Sequence, residues 1–221
     1  MRVYTFSYQN PTRATAMRTR FALEDLELEF VPPVEPDDAR LVCAPHDQRR
    51  TWAIMWSHLD MLKIFLESYS EVGLFCEDDI LIRKGLKQLL PEIIATYKRL
   101  GLEILLLGYL LNFRPVQLIG HAEFSPQSNY SYLNYPDHLW GSQMYMLDRR
   151  TAKKFLSRYT VEFARSATVP FSPDWTLTKE GRRALIYPML AVEEGRVATD
   201  HQGQIEFHRL CAEAQLDSNY H

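Results

Sequence analysis

Three consecutive carboxylates, Glu77-Asp78-Asp79, follow the apolar run Val72-Gly73-Leu74-Phe75-Cys76 and are succeeded at once by Ile80-Leu81-Ile82. The pattern predicts a buried strand that releases three acids at its C-terminal end. Unpaired charges there are expensive to desolvate, and a divalent cation offsets that expense. A set of hard oxygen donors suits Mg²⁺ or Mn²⁺, and such an ion in turn holds a phosphate. A second constellation, Ser57-His58-Leu59-Asp60, has the residue types of a hydrolase triad. Consecutive helix positions point in different directions, whereas a triad requires convergence, so nucleophilic catalysis is excluded there. Neither G-x-S-x-G nor H-E-x-x-H occurs.

The elements that must position these acids alternate between strand and helix. Val3–Tyr8 is β-branched and aromatic, and Asn10-Pro11-Thr12 supplies turn and cap chemistry for a helix carrying Ala14, Met17 and Phe21. A second strand is expected over Leu28–Val31. Residues 32–47, with four prolines and four acids, read as a loop. Residues 49–69 place Trp52, Met55, Trp56, Leu59, Leu62, Phe65, Leu66 and Tyr69 on one wide apolar helix face. A helix over about 84–100 follows the acidic strand, with Pro91 expected to kink or restart it. Glu103–Leu107 is another apolar strand, residues 109–138 look irregular, and Trp140–Leu147 returns to strand. Asp148 then caps a helix to about Tyr159, Pro170–Trp175 turns into a short helix, and Arg183–Tyr187 is the last strand. The tail carries His201 and His208 among few periodic apolar residues. Apolar strands alternating with helices give an α/β domain with a mostly parallel central sheet flanked by helices.

Composition narrows the function classes. At 221 residues and 46% hydrophobic, the chain can bury one full core. A net charge of −3 without a Lys/Arg stripe argues against nucleic-acid binding. The pairs Arg49-Arg50, Arg149-Arg150 and Arg182-Arg183 are expected to be solvated. Cys43, Cys76 and Cys211 lack C-x-x-C spacing, which fits a reducing, cytoplasmic setting. No apolar run is long enough to span a bilayer. The abrupt finish at Ser218-Asn219-Tyr220-His221 leads us to expect further domains beyond it.

Several pieces, taken in order, resemble glycosyltransferase family 25, the lipopolysaccharide and procollagen galactosyltransferases, and the capsid-glycan glycosyltransferase domains of large DNA viruses. They are the first strand with Asn10-Pro11-Thr12-Arg13, Ser57-His58, Phe75-Cys76-Glu77-Asp78-Asp79-Ile80, Gly141–Leu147 with Ala152–Leu156, and Asp174-Trp175. Arg49–Trp52 stands where the family has a glycine-cysteine pair. The resemblance implies a single Rossmann-like GT-A domain, with residues 1–110 binding a nucleotide sugar, UDP-sugar foremost, and residues 111–221 facing a glycan or glycoprotein acceptor. It implies Mn²⁺ or Mg²⁺ as cofactor. Asp79 would be the direct metal ligand and Glu77 its partner, touching ribose or a metal-bound water, with Asp78 turned toward the sugar or into a structural hydrogen bond. His208, ahead of His201, would complete the metal site. Asp174 would be the base of an inverting transfer. Thr5, Phe6, Ser7, Tyr8, Arg13 and His58 would line the donor pocket beyond the first strand. Two other readings use the same acids: a metal-dependent phosphohydrolase or nuclease built on Glu77, Asp78, Asp79 and Asp174, and a non-catalytic nucleotide- or glycan-binding domain.

Overall fold

A computed structural model of the chain describes residues 1–113, 130–195 and 201–221. Its main sheet has seven strands among the described residues: β1 (Arg2–Thr5), β2 (Glu27–Phe30), β3 (Val72–Cys76), β5 (Ile104–Leu110), β6 (Ser131–Leu133), β7 (Trp140–Asp148) and β8 (Arg183–Tyr187). They lie in the order β2-β1-β3-β7-β5-β8-β6. β1 pairs in parallel with β2 and β3, and β5 with β8, while β7 runs against both β3 and β5, and β6 against β8. Five strands therefore share one direction, the α/β architecture that the sequence predicts. Two short strands, β4 (Ile80–Ile82) and β9 (Ala191–Glu193), form a separate antiparallel ribbon.

Strand residues alternate between two cores, one on each face of the sheet. Tyr4 and Phe75 join α2 (Arg49–Glu67) and α4 (Arg149–Arg158) through Trp52, Trp56, Leu59, Phe65 and Phe155. Val3, Leu74 and Cys76 pack on the other face against Met17 and Phe21 of α1 (Pro11–Leu23) and Leu86, Leu90 and Ile93 of α3 (Leu86–Arg99). This two-sided burial explains why β3 and β5 read as continuous apolar runs. The predicted caps form: Asn10 accepts from the Arg13 amide at 3.1 Å and Asp148 from the Thr151 amide at 2.7 Å.

Several expectations need correction. Pro91 lies inside α3 and does not restart it, since one helix continues to Arg99. The tail is not aperiodic: α6 (Gln202–Gln215) buries Cys211 and Ala212, small residues that give a weak apolar signature, and His201 is its cap. A short helix, α5 (Val161–Ser166), and strand β9 also escape the sequence pattern. Within the stretch expected to be irregular, Ser131–Leu133 pair as strand, while 114–129 lie outside the described residues. Arg149 and Arg183 are structural, not solvated. Arg149 donates to the Leu66 and Ser68 carbonyls, both at 2.7 Å, closing the C-terminus of α2, and Arg183 donates to the Lys179 carbonyl at 2.6 Å and pairs with Asp137. The halves 1–110 and 111–221 share one sheet, because β7 lies between β3 and β5. No helix among the described residues is long and apolar enough to cross a membrane.

Candidate functional site

The carboxyl end of β3 opens into a bend at Glu77-Asp78-Asp79, after which β4 leaves the main sheet. Pairing of β4 with β9 sets Glu193 opposite Ile80 and bonds the Glu194 amide to the Asp79 carbonyl at 2.9 Å. The antiparallel β7 begins at this same edge. Its first residues act in turn: the Gly141 amide donates to Asp174 Oδ1 at 2.7 Å, Ser142 Oγ to Glu77 Oε1 at 2.7 Å, and the Gln143 carbonyl accepts from the Glu77 amide at 3.0 Å. From the last helix, His208 Nδ1 meets Glu193 Oε2 at 2.6 Å. Five segments distant in sequence thus converge on one acidic centre.

The three consecutive acids divide as their alternation requires. Asp78 turns to the first strand's end, accepting from Ser7 Oγ at 2.5 Å and Arg13 Nη1 at 3.3 Å. Asp79 is buried at 8% exposure; Arg13 reaches its Oδ2 at 3.1 Å, and its Oδ1 has no hydrogen-bond partner. Burial first, then repulsion from Asp79 and Asp174, raise the Glu77 carboxyl well above the usual range, against the Ser142 hydroxyl. Burial, then Glu193, with Arg13 opposing, push Asp79 up to about 7. Asp174 is raised by burial despite the Gly141 amide. His208 is raised as well: burial works against its proton, and Glu193, Asp79 and Asp174 hold it. The centre carries more negative charge than its cations neutralise.

A pH dependence follows from these shifts. A raised folded-state pKa stabilises the fold below the ordinary carboxylate range, and that stability is lost as pH rises through about 7 for Asp79. In EDTA, the unfolding free energy should therefore fall between about pH 5 and pH 8 by on the order of a few kcal/mol, and the melting midpoint with it. Asp79→Asn should flatten the slope. A midpoint that climbs over this interval contradicts the arrangement.

The other sequence-predicted donor residues separate into two groups. Ser7 and Arg13 reach the acids, while Tyr8, next to Ser7 in sequence, is 43% exposed, its hydroxyl accepting from Gln9 at 3.0 Å. Thr5 and His58 turn inward at 0% exposure, so their side chains offer nothing to a ligand. His58 stacks on Tyr145 with its Nδ1 3.0 Å from the phenol oxygen, and burial drives its pKa down to about 3. Phe6 packs edge-on to His58. The apolar face of α2 is wide enough to carry both rings into the core. Ser57 donates to the Ala53 carbonyl and Asp60 pairs with Arg40, so the excluded triad does diverge.

Asp174 sits in the turn before a 3₁₀ segment, Leu177–Lys179, but does not cap it through its side chain. Ser172 Oγ takes the Trp175 amide, leaving the Asp174 carboxylate to the centre. Sequence reasoning missed Glu193, Ser142 and Lys179. Glu193-Glu194 repeats on a smaller scale the signal of Glu77–Asp79, acids released after the apolar run Met189–Val192. Burial lowers Lys179 to about 8, and its ammonium, near Asp174, donates to the Leu139 carbonyl.

Gly141 is the pivot of this edge. Its φ of +125° disfavours any side chain, and an added Cβ would lie 2.6 Å from the Leu110 amide nitrogen and from Tyr109 Cα. Gly141→Ala should cost at least about 2 kcal/mol in urea denaturation. A loss below about 0.5 kcal/mol, the level of an ordinary surface change, contradicts this strain.

Among the described residues, no group of three or more His, Cys, Asp or Glu side chains is arranged to hold a metal ion as it stands. The donor chemistry still fits Mg²⁺ or Mn²⁺. These ions are held by one or two carboxylates with water and substrate phosphate, and here a buried carboxylate oxygen lacks a partner in an over-acidic pocket.

No protein-family profile matches the chain, and no curated protein matches its sequence. Among solved structures it is similar to a glycosyltransferase involved in the glycosylation of the major capsid of PBCV-1, with 11% identity over 95% of this chain and 98% of that one and a TM-score of 0.46. It is also similar to mannose-1-phosphate geranyltransferase from Thermus thermophilus (10% identity, 84% and 72% covered, TM-score 0.43). A third is apo UDP-glucose pyrophosphorylase (12% identity, 98% and 82% covered, TM-score 0.41). TM-scores below 0.5 assign no chemistry to this chain, whose own residues must supply it.

Proposed function

We propose that the chain is a metal-dependent glycosyltransferase that moves a sugar from a nucleoside-diphosphate donor, of the UDP-sugar type, to a glycan or glycoprotein acceptor with inversion. One observation carries the reading: Glu77, Asp79, Glu193 and Asp174 converge at the carboxyl edge of a largely parallel sheet, with Ser7 and Arg13 of the first strand–helix turn beside them. That edge is where open α/β sheets bind nucleotides.

Asp79 and Glu77 are the residues that would hold Mn²⁺ or Mg²⁺, with His208 oriented through its Nδ1 bond to Glu193, the arrangement that fixes a ligating imidazole. When bound, the ion supplies Lewis-acid neutralisation of the diphosphate. Arg13 and Ser7 fix Asp78 on the donor side. Asp174, held by the Gly141 amide and made more basic by burial, takes the proton of the acceptor hydroxyl. The hydroxyl oxygen bonds to the anomeric carbon as the bond from that carbon to the phosphate oxygen breaks, and the nucleoside diphosphate leaves with the electron pair.

Thermal denaturation with nucleoside diphosphates, with and without Mn²⁺, tests the reading. A matching nucleotide with Mn²⁺ at about a hundredfold its Kd should add about 2.7 kcal/mol, a rise of a few degrees, over the protein with Mn²⁺ alone, and the nucleotide without Mn²⁺ should not do so. Absence of a shift with UDP, GDP, CDP and ADP would reject it. Release of free phosphate from nucleotides without any acceptor would favour a phosphohydrolase instead.

A further inference from the structure

Three aromatic side chains border the acidic centre, each from a different segment and each next in sequence to one of its members. Trp140 precedes Gly141, whose amide holds Asp174; Trp175 follows Asp174; Phe207 precedes His208. Trp140 lies 5.9 Å from Trp175 at an interplanar angle of 65° and 6.2 Å from Phe207 at 69°. Both contacts are edge-type, and Trp140 remains 40% exposed. Asp174 and Lys179 fasten the backbone on either side of Trp140, Asp174 through the Gly141 amide and Lys179 through the Leu139 carbonyl. The indole is thus a fixed surface, not a loose loop side chain. The Gly141 amide, one peptide bond from Trp140, lies 2.7 Å from Asp174 Oδ1, and the Phe207 ring lies 5.9 Å from that of His208, which ties the trio to the acidic centre at both ends.

We infer that Trp140, Trp175 and Phe207 form the acceptor platform, which takes the apolar face of a pyranose ring and presents one of its hydroxyls to Asp174. The role of that hydroxyl rests on the glycosyltransferase reading; the platform's affinity for sugars does not. A pyranose is amphipathic in the way this surface is. The C–H bonds on its face are weakly positive and suit the negative face of an aromatic ring. Its hydroxyls donate to carboxylates such as Asp174 and Glu193, which border the trio. An apolar peptide would cover the rings but leave the acids unsatisfied, and a phosphorylated ligand on the rings would meet Asp174 and Glu193 with like charge unless a cation lay between them. The sugar is the occupant that satisfies both halves.

The test titrates the full chain with methyl glucoside, methyl galactoside and methyl mannoside. Tryptophan emission and saturation transfer to the sugar ring protons are the readouts. At least one glycoside should bind saturably in the millimolar range. Trp140→Leu, which keeps the apolar bulk and removes the ring, should weaken binding about tenfold, and Trp140→Phe should retain most of it. Similar melting midpoints of the two variants exclude misfolding as the cause. Binding by none of the three glycosides, undiminished binding by Trp140→Leu, or saturation only by an aromatic peptide amide each overturns the platform. UDP with Mn²⁺ is run in parallel to separate the two readings. A nucleotide shift without glycoside binding rejects the platform alone, whereas glycoside binding without any nucleotide shift rejects the transferase reading and leaves the platform standing.

Discussion

Asp79→Asn should abolish sugar transfer, by about a thousandfold or more, and still make the metal-free protein harder to unfold at pH 8. The two effects have one cause. Asp79 is buried, faces Glu193 and has an oxygen without a partner, so its charge is unfavourable until a cation arrives. Asparagine removes the charge and with it the Lewis-acid contribution of several kcal/mol to the leaving group. The remaining stability should rise by about 1 kcal/mol, because Arg13 keeps Asp78 as a partner at 3.3 Å. Chemical denaturation in EDTA and a donor-consumption assay with Mn²⁺ measure the two sides. If the variant is less stable than the parent, the Arg13–Asp79 pair is a structural strut and the metal assignment fails.

The second large effect belongs to Asp174. Asp174→Asn keeps an oxygen for the Gly141 amide, so the loop geometry should survive. Loss of the proton acceptor should lower kcat by about 10² to 10⁴, with nucleotide and Mn²⁺ still raising the melting midpoint as in the parent. The pH–rate profile should also lose its acidic limb. A fall of less than about tenfold in kcat would remove Asp174 from the proton-transfer step and leave it as the anchor of Gly141.

Much of this arrangement was legible in the residues, and the misses have physical reasons. β3 and its acids were visible because a strand buried on both faces leaves an uninterrupted apolar run, and acids at its end break the pattern abruptly. Asn10 and Asp148 were visible because capping is a local interaction, settled within three residues. Glu193 was hidden: β9 is three residues long, and only its pairing with β4 brings that carboxylate to Asp79. α6 was hidden because it packs through Cys211 and Ala212, which add little periodic hydrophobicity. His58 misled in the opposite direction. The resemblance carried by Ser57-His58 implied a place in the donor pocket, but its ring is one more piece of a core that includes Tyr145 and Phe6. The roles of Gly141 and Ser142 depend on which strand lies beside them, and pairing partners distant in sequence leave no local trace.

The position of β7 between β3 and β5 has a consequence for the birth of the protein. A ribosome that has released only the first 110 residues has made both neighbours of β7 but not the strand that joins them. Until about residue 148 emerges, two fully buried-type strands hold open edges, the state most exposed to mispairing and aggregation. The same late strand carries Gly141 and Ser142, so assembly of the acidic centre and closure of the sheet are one event. Variants that slow the docking of β7 should therefore surface first as poor yields from cells, before any purified sample shows a lowered melting point.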